Sequence, residues 1–230
     1  MSPQRSISYM AGMFENRTFA AFLFDMDGTI LSSIASAERV WMRWAQEHGI
    51  DVATLFATMH GVRAIDTVAR HAPPGVDPRA EADRITLMEI EDVEGTDPIT
   101  GAAAFLNAIP EGRWAIVTSA PRALALARLR ASGLPVPSVL VTAEDVATGK
   151  PSPEGYLLGA ERLGVAAADC LVFEDAAAGI AAGEAAGATV CVITACRTEG
   201  APADRAAIAN YEGRSVTIDP ETGGLRIIAF

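Results

Sequence analysis

The sequence lacks the features that mark nucleic-acid-binding and membrane proteins. Its 18 Lys and Arg residues are outnumbered by 29 Asp and Glu, the net charge is -11, and the basic residues form no run. An acidic chain without a basic patch repels both phosphodiester backbones and anionic lipid. No apolar run approaches the roughly 18 residues that a membrane span needs. We therefore expect neither nucleic acid nor membrane as a partner.

Cysteine is also scarce, since Cys170, Cys191 and Cys196 are the only three and their spacing matches no metal site. This usage predicts buried free thiols in a reducing compartment. The polar stretch from Met1 to Arg17 contains no apolar segment that could form the core of a signal peptide. We expect a frayed leader before the first strand, a cytoplasmic location and, as the simplest assembly, a monomer.

What the sequence does contain is a globular balance of 50% hydrophobic and 20% charged residues. Five short apolar runs predict buried strands, at residues 19–24, 114–117, 139–141, 171–173 and 188–193. Ala- and Leu-rich stretches between the later runs predict helices, at residues 123–131, 154–163 and 176–186. Strands that alternate with helices indicate an α/β fold with a Rossmann-like core on a parallel sheet.

One long segment departs from this alternation. Apolar residues from Ile34 to Ala45 recur at helical spacing, and Gly49 follows as a C-cap. Three further helical stretches follow without a strand signal, at residues 52–59, 64–70 and 78–90. We predict an all-helical domain over residues 33–97, inserted after the first strand into a core formed by residues 1–32 and 98–230. Within that core, a Gly-Gly turn between residues 215–218 and 225–229 predicts a C-terminal β-hairpin.

Two aspartates, Asp25 and Asp27, directly follow the first predicted strand and precede Gly28 and Thr29. Open α/β sheets bind ligands at the carboxyl ends of their strands. Two carboxylates placed there need an opposite charge, and a divalent cation that prefers hard oxygen ligands, such as Mg²⁺, would supply it. Taken alone, the motif is also compatible with an Asp-rich turn that has no chemical role.

Three later positions carry polar residues that suit a phosphate ester. Thr118 and Ser119 follow a strand and offer hydroxyls for a phosphate, although such a pair is also a common helix N-cap. Lys150 lies in a loop with two prolines, where a lone lysine is otherwise a solvated charge. Glu174 and Asp175 form a second acidic pair at a strand end. Together with the first pair, these signals are far more specific than any one of them.

In this order, the four signals resemble the four sequence motifs of the haloacid dehalogenase-like superfamily, and the resemblance extends from Phe19 onward. The helical insert has the position and size of that superfamily's C1-type cap. Residues 23–29, 60–63, 114–119 and 174–180 are similar to small sugar- and polyol-phosphate phosphatases, including bacterial sugar phosphatases and yeast glycerol-phosphate and 2-deoxyglucose-6-phosphate phosphatases. Ser32 and Ala177 depart from the pattern, since many relatives have Asp and Pro there.

The resemblance implies an Mg²⁺-dependent phosphatase that acts on small sugar or polyol monophosphates. Asp25 would attack phosphorus and form an aspartyl-phosphate, and Asp27 would act as general acid and base. Mg²⁺ would be held by Asp25, the Asp27 carbonyl and Asp175, with Glu174 as a further or water-mediated ligand. The residues that would bind the phosphoryl group are Thr118, Ser119 and Lys150.

The helical insert would then choose among substrates. By resemblance, His60, Gly61 and Arg63 lie where residues of such a cap face the active site. A structural interpretation has equal weight, because the His-Gly pair also suits a turn between helices and Arg63 has Asp66 and Glu38 as candidate partners.

Two other functions remain open at this point. A phosphomutase of the β-phosphoglucomutase type shares all four motifs, but such relatives carry a His at the position of Ala37 and a cap segment that residues 60–64 match poorly. A non-catalytic protein that binds phosphorylated ligands is the other alternative. The presence of both Asp25 and Asp27 argues against it.

Overall fold

The computed structural model describes residue 14, residues 17–197, residue 200 and residues 204–229. The predicted leader, apart from Phe14 and Arg17, lies outside these residues. The strands are β1 (Ala21–Phe24), β2 (Leu31–Ser32), β3 (Asp97–Pro98), β4 (Trp114–Val117), β5 (Val139–Val141), β6 (Cys170–Glu174), β7 (Thr189–Ile193), β8 (Ala206–Ile208), β9 (Arg214–Ile218) and β10 (Leu225–Ala229). The helices are α1 (Ile34–His48), α2 (Val52–Met59), α3 (Ala64–His71), α4 (Pro78–Glu91), α5 (Ala102–Asn107), α6 (Arg122–Ala131), α7 (Glu154–Arg162) and α8 (Ala177–Ala185).

Six parallel strands form the central sheet, in the order β5-β4-β1-β6-β7-β8. Phe22 of β1 lies opposite Trp114 of β4 on one side and Leu171 of β6 on the other. All residues of these three strands are buried, as expected for a sheet covered on both faces. The structure therefore confirms the predicted α/β class with a parallel sheet.

The order of the strands decides where a ligand binds. The chain runs outward from β1 through β4 to β5, and then continues on the other side of β1 with β6, β7 and β8. Such a reversal of direction opens a crevice at the carboxyl ends of the neighbouring strands. The first predicted acidic pair follows β1, and the second begins at Glu174, the last residue of β6, so both lie at this crevice.

Helices α1 to α4 pack around a hydrophobic cluster of their own, separate from the clusters on the two faces of the sheet. Trp41 and Trp44 lie within this cluster with ring centroids 5.5 Å apart, and Gly49 ends α1 in the left-handed conformation. The chain enters these helices through β2 and returns through β3, and the two strands pair antiparallel. That residues 33–97 form a separate domain remains a prediction.

The sequence missed four short elements: β2, β3, β8 and α5. Each strand among them has only two or three residues, too few for a hydrophobic period to show. The C-terminal hairpin, in contrast, is present, with Leu225 opposite Ile218 and the Gly-Gly pair between the strands. Hairpin and sheet join where Phe19 forms a bridge to Leu225.

All three cysteines are free, which confirms the predicted free thiols. Cys170 and Cys191 are buried and Cys196 is partly exposed. Burial raises the pKa of Cys191 to about 12, so this thiol stays protonated at neutral pH. Across the part of the chain that the structure describes, no helix has both the length and the apolar character needed to cross a membrane.

Candidate active site

Asp25 is held at the end of β1 beside a buried lysine. Its backbone N–H donates to the Phe173 carbonyl at 3.0 Å, and its side chain is almost fully buried. Lys150 Nζ lies 2.5 Å from Asp25 Oδ1 and 2.7 Å from Glu174 Oε1. Burial raises the pKa of Asp25 to about 7 although the nearby Lys150 charge lowers it. Lys150 is thus a buried partner of two carboxylates and not a solvated surface charge.

Glu174 organises the surroundings of Lys150. Its Oε1 accepts from Lys150 and from the Tyr156 hydroxyl at 2.9 Å, and its Oε2 accepts from the backbone N–H groups of Asp175 and Ala176. A Cβ on Gly179 would lie 1.5 Å from Glu174 Oε1, so only glycine fits at that position of α8. Both oxygens of Glu174 are therefore already engaged within the protein. Tyr156 was not recognised as a site residue in the sequence.

Asp175 meets the turn that follows β1. Thr29 Oγ1 donates to Asp175 Oδ1 at 3.3 Å, and Arg197 donates to the Asp175 carbonyl oxygen. Gly28 has a φ of +84°, and a Cβ there would lie 2.0 Å from Asp175 Oδ2. Burial raises the pKa of Asp175 well above its ordinary value. The structure thus brings the two predicted acidic pairs together.

A divalent cation fits this grouping of residues. Carboxylate oxygens of Asp25, Glu174 and Asp175 lie within 4.8 Å of one another. Three closely spaced carboxylates face one lysine, and the hard oxygen donors are those that Mg²⁺ prefers. Burial raises the pKa of Asp25 and Asp175, and the negative charge of neighbouring carboxylates such as Glu174 raises both further. A cation at this point would offset this negative charge.

Asp27 lies next to Asp25 but has different partners. Its Oδ1 accepts from Ser33 Oγ at 2.6 Å and from Arg128 Nη1 at 3.0 Å. Arg128 lies on α6, and its Nη2 donates to Glu89 Oε1 on α4 at 2.9 Å. Sequence reasoning missed Arg128 and Glu89, because each is one polar position in a helix far from Asp27 along the chain.

The two predicted phosphate-binding hydroxyls lie at the end of β4. Thr118 Oγ1 accepts from the Ala120 N–H at 3.0 Å, which leaves its hydroxyl hydrogen to donate. Ser119 Oγ donates to the Gly61 carbonyl at 2.9 Å, across the boundary between the sheet and the helices above it. Ser119 therefore presents its oxygen lone pairs, and not its hydroxyl hydrogen, while this contact holds.

A cavity with room for water over about 100 Å³ separates the sheet edge from the helices. From the sheet side its lining includes Asp25, Asp27, Thr118, Ser119 and Arg128. From the helical side its lining includes Ala37, Trp41, His60, Gly61 and Glu89. The predicted nucleophile and the predicted specificity residues His60 and Gly61 thus line one cavity.

Arg63 takes a different position from His60 and Gly61. Its guanidinium pairs with Asp66, at 2.7 Å from Nε to Oδ2, and Nη1 donates to the Ala147 carbonyl at 3.1 Å. It lines a second, smaller cavity beside Lys150 and is absent from the described residues that line the cavity with Asp25. Of the two partners considered from the sequence, Asp66 is the one it contacts.

Comparisons with known proteins agree with this geometry. Residues 19–187 match the sequence model of haloacid dehalogenase-like hydrolases. The chain is 44% identical over 179 residues to hexitol phosphatase A of Escherichia coli (strain K12), covering 76% of this chain and 82% of that protein. It is 34% identical over 181 residues to glycerol-1-phosphate phosphohydrolase 2 of Saccharomyces cerevisiae, and the match covers 74% of this chain and 72% of that protein.

A solved structure of similar fold is β-phosphoglucomutase from Clostridium difficile. The TM-score is 0.68 and the sequence identity 21%, and the match covers 76% of this chain and 84% of the other. At this identity the likeness shows a shared fold and carries nothing about the reaction.

Proposed function

The chain belongs to the haloacid dehalogenase-like hydrolases, and from this we propose that it is a phosphatase of small sugar or polyol monophosphates. The observation that carries the proposal is the meeting of Asp25, Lys150 and Asp175 at the strand ends, next to the cavity between the sheet edge and the helices. The proteins named hexitol phosphatase and glycerol-1-phosphate phosphohydrolase support the substrate class.

Asp25 acts as the nucleophile in this proposal. Its carboxylate oxygen forms a bond to phosphorus while the bond from phosphorus to the ester oxygen breaks. Asp27 gives its proton to the departing alkoxide, which leaves as the free alcohol. Water then attacks the aspartyl-phosphate, Asp27 takes a proton from it, and phosphate is released with Asp25 restored.

Lys150 and the residues after β4 hold the phosphoryl group. Lys150 is fixed by Glu174 and stacks near the Tyr156 ring, at 5.2 Å from Nζ to the ring centroid. A cation fixed in this way stabilises negative charge on the phosphoryl oxygens without having to reorganise. Thr118 donates its hydroxyl hydrogen to the same group. Ser119 donates its hydroxyl hydrogen there as well once its hydrogen bond to the Gly61 carbonyl is broken.

Bound Mg²⁺ would supply positive charge that offsets both the carboxylates and the phosphate. Asp25 and Asp175 would hold it directly, and the Asp27 carbonyl is the further candidate ligand. Glu174 suits a water-mediated contact, because its two oxygens already accept four hydrogen bonds. The free thiols and the acidic composition support a cytoplasmic enzyme of small molecules, without a nucleic-acid or membrane partner. That it is a monomer stays a prediction.

The cavity favours hydrolysis over mutase chemistry. Ala37 lines the cavity at the position where phosphomutase relatives carry a His, and its methyl group can neither donate nor accept a hydrogen bond. The phosphomutase alternative therefore lacks a side chain that it would need in this space.

Phosphate release with and without Mg²⁺ tests the proposal. The substrates would be glycerol 1-phosphate, hexitol phosphates, hexose 6-phosphates and β-glucose 1-phosphate, with formation of glucose 6-phosphate followed separately. We expect Mg²⁺-dependent release of phosphate from members of this set. Isomerisation of β-glucose 1-phosphate without release would establish a mutase instead. Failure to release phosphate from any substrate, with Mg²⁺ shown to bind, would support the binding-protein alternative.

A further inference from the structure

Asp27 is anchored through one oxygen only. Ser33 and Arg128 both donate to Oδ1, and among the described residues no hydrogen bond reaches Oδ2. Two donors that converge on one oxygen fix the plane of the carboxyl group and its direction. Oδ2 is then the oxygen that can exchange a proton with a leaving group or with water.

Arg128 is buried, and it is shared between the core and the inserted helices. It is 5% exposed, as is Glu89, whose carboxylate takes the opposite side of the guanidinium. Trp41 of α1 and Glu89 both line the cavity that contains Asp27. The contact that holds Asp27 is therefore completed by Glu89 of α4, a helix of the insert.

This arrangement is a costly way to stabilise a protein. Buried ion pairs lose about as much free energy in desolvation as they gain in attraction. Apolar side chains of similar size in their place often leave the protein equally stable or more stable. Arg128 Nε has no hydrogen-bond partner among the described residues, so even this buried guanidinium is not fully satisfied. A buried charge set that contacts Asp27 and lines the substrate cavity points to a role in the reaction.

We propose that Arg128 is a positioning residue that holds Asp27 for protonation of the leaving alkoxide, and that Glu89 holds Arg128 in place. This inference rests on the proposed phosphatase function. Because a guanidinium does not give up its proton near neutral pH, Arg128 fixes Asp27 without competing in proton transfer. Because Glu89 belongs to the insert, Asp27 is fully positioned only when the inserted helices lie against the sheet.

The reaction itself provides a selective test. Glycerol 1-phosphate releases an alkoxide that needs a proton, whereas p-nitrophenyl phosphate releases a stable phenolate that does not. In Arg128→Met we expect the first-turnover rate at saturating substrate to fall about 30-fold for glycerol 1-phosphate and no more than about 3-fold for p-nitrophenyl phosphate. Arg130→Met, on an exposed position of the same helix, is the matched control and should change neither rate.

Two further variants guard against a folding failure. Arg128→Lys keeps the positive charge and should restore part of the glycerol 1-phosphate rate. Glu89→Gln should cause a smaller selective loss, about 5-fold, because a neutral amide holds the guanidinium more weakly than a carboxylate. Glu91→Gln is its exposed control on α4 and should behave as wild type. The melting temperature of each variant is compared with that of the wild type. If Arg128→Met does not fold, Arg128→Lys and Glu89→Gln decide whether Arg128 positions Asp27.

The possible results separate clearly. An equal loss of first-turnover rate with both substrates would show a merely structural role. A rise in KM with unchanged first-turnover rates would show that Arg128 binds substrate. No loss of rate with either substrate would show that Arg128 has no role in the reaction. Each of these overturns the inference. If the wild type itself releases no phosphate, the proposed function fails. An active wild type with an unchanged substrate ratio in the variants refutes only the positioning role.

Discussion

Individual residues carry the proposed chemistry, and the role of Asp25 as nucleophile can be tested most directly. Asp25→Asn removes the nucleophile but keeps its size, so we expect turnover to fall at least about 1,000-fold. The melting temperature should not fall, because the substitution removes a charge from a crowded acidic cluster. Phosphate release and thermal melting measure the two effects.

The control for this variant is Asp169→Asn, since Asp169 is an exposed carboxylate before β6, at the opposite end of the sheet. It should retain wild-type activity. Near-normal turnover in Asp25→Asn would refute the aspartyl-phosphate mechanism.

Gly28 tests whether the turn after β1 shapes the metal site. A Cβ there would displace the Asp175 carboxylate, and the positive φ adds strain of about 1–2 kcal/mol. Gly112 has a similar φ of +73° but no atom within 4 Å of an added Cβ, so Gly112→Ala carries the strain without the clash. We expect Mg²⁺ to raise the melting temperature of the wild type and of Gly112→Ala, but not of Gly28→Ala.

An equal Mg²⁺ response in both glycine variants would show that Asp175 does not need its observed position to bind the cation. Loss of the response in both would assign the effect to backbone strain, because the two substitutions have strain in common.

Among individual residues, the sequence predicts those candidate site residues that belong to a recognisable local pattern. Asp25, Asp27, Glu174 and Asp175 were predicted because each pair lies at the end of a buried strand. Arg128 and Glu89 could not be found in this way. Their contacts join helices that are distant along the chain, and one charged residue in a helix has no pattern that distinguishes it from a surface position.

Among the secondary structure elements, the short 3₁₀ turn 143–145 after β5 shows how one side chain joins two elements. Asp145 accepts from the N–H and hydroxyl of Thr142, at 2.9 Å each, and from Arg162 of α7 at 2.7 Å. Although burial raises it, the hydrogen bonds from Arg162 and Thr142 lower the pKa of Asp145 to about 2. A carboxyl group with a lowered pKa stabilises the fold when ionised.

The sign of this effect predicts a pH dependence. The contribution is complete above the ordinary pKa of 3.8 and is lost as the pH falls through about 2. Asp145→Asn should therefore lower the free energy of unfolding by about 1–2 kcal/mol at pH 7, and the difference from wild type should shrink below pH 4. Urea unfolding at pH 7, 5 and 3 measures it, with Asp169→Asn as the exposed control. A difference that does not change with pH would assign the loss to packing.

The strength of the hydrophobic pattern decided which helices and strands could be predicted. Helix α1 was predicted because apolar residues repeat at helical spacing and Gly49 marks its end. Strands β2 and β3 exist because the chain must leave and re-enter the core at one place, and this is a tertiary constraint. Such elements leave no periodic signal in the sequence.

For the molecule as a whole, the order of the motifs was enough to predict the sheet and the place of the site. Parallel strands bring their carboxyl ends to one edge, so residues far apart along the chain meet there whatever the loops between them do. The contacts across the cavity were not predictable, because they depend on how the inserted helices lie on the sheet. Arg63 shows this, since the sequence left open whether it faces the substrate or pairs with Asp66, and the structure places it against Asp66 and the Ala147 carbonyl.

Arg63 therefore tests how the two parts of the molecule act together. Its guanidinium ties α3 to residues 146 and 147, close to the loop that carries Lys150. Arg63→Ala should lower kcat/KM on the order of 5-fold for every substrate, because Lys150 and the inserted helices lose a common anchor. The ranking of substrates should not change, since Arg63 is absent from the described lining of the cavity with Asp25.

The measurement is kcat/KM across the sugar and polyol phosphates, with Arg70→Ala, an exposed residue of the same helix, as the control. His60→Ala provides the contrast, because His60 lines the cavity and should alter the ranking. A changed ranking in Arg63→Ala would mean that its pairing with Asp66 opens when substrate binds. In that case Arg63 would be a specificity residue that reaches the cavity only in the complex.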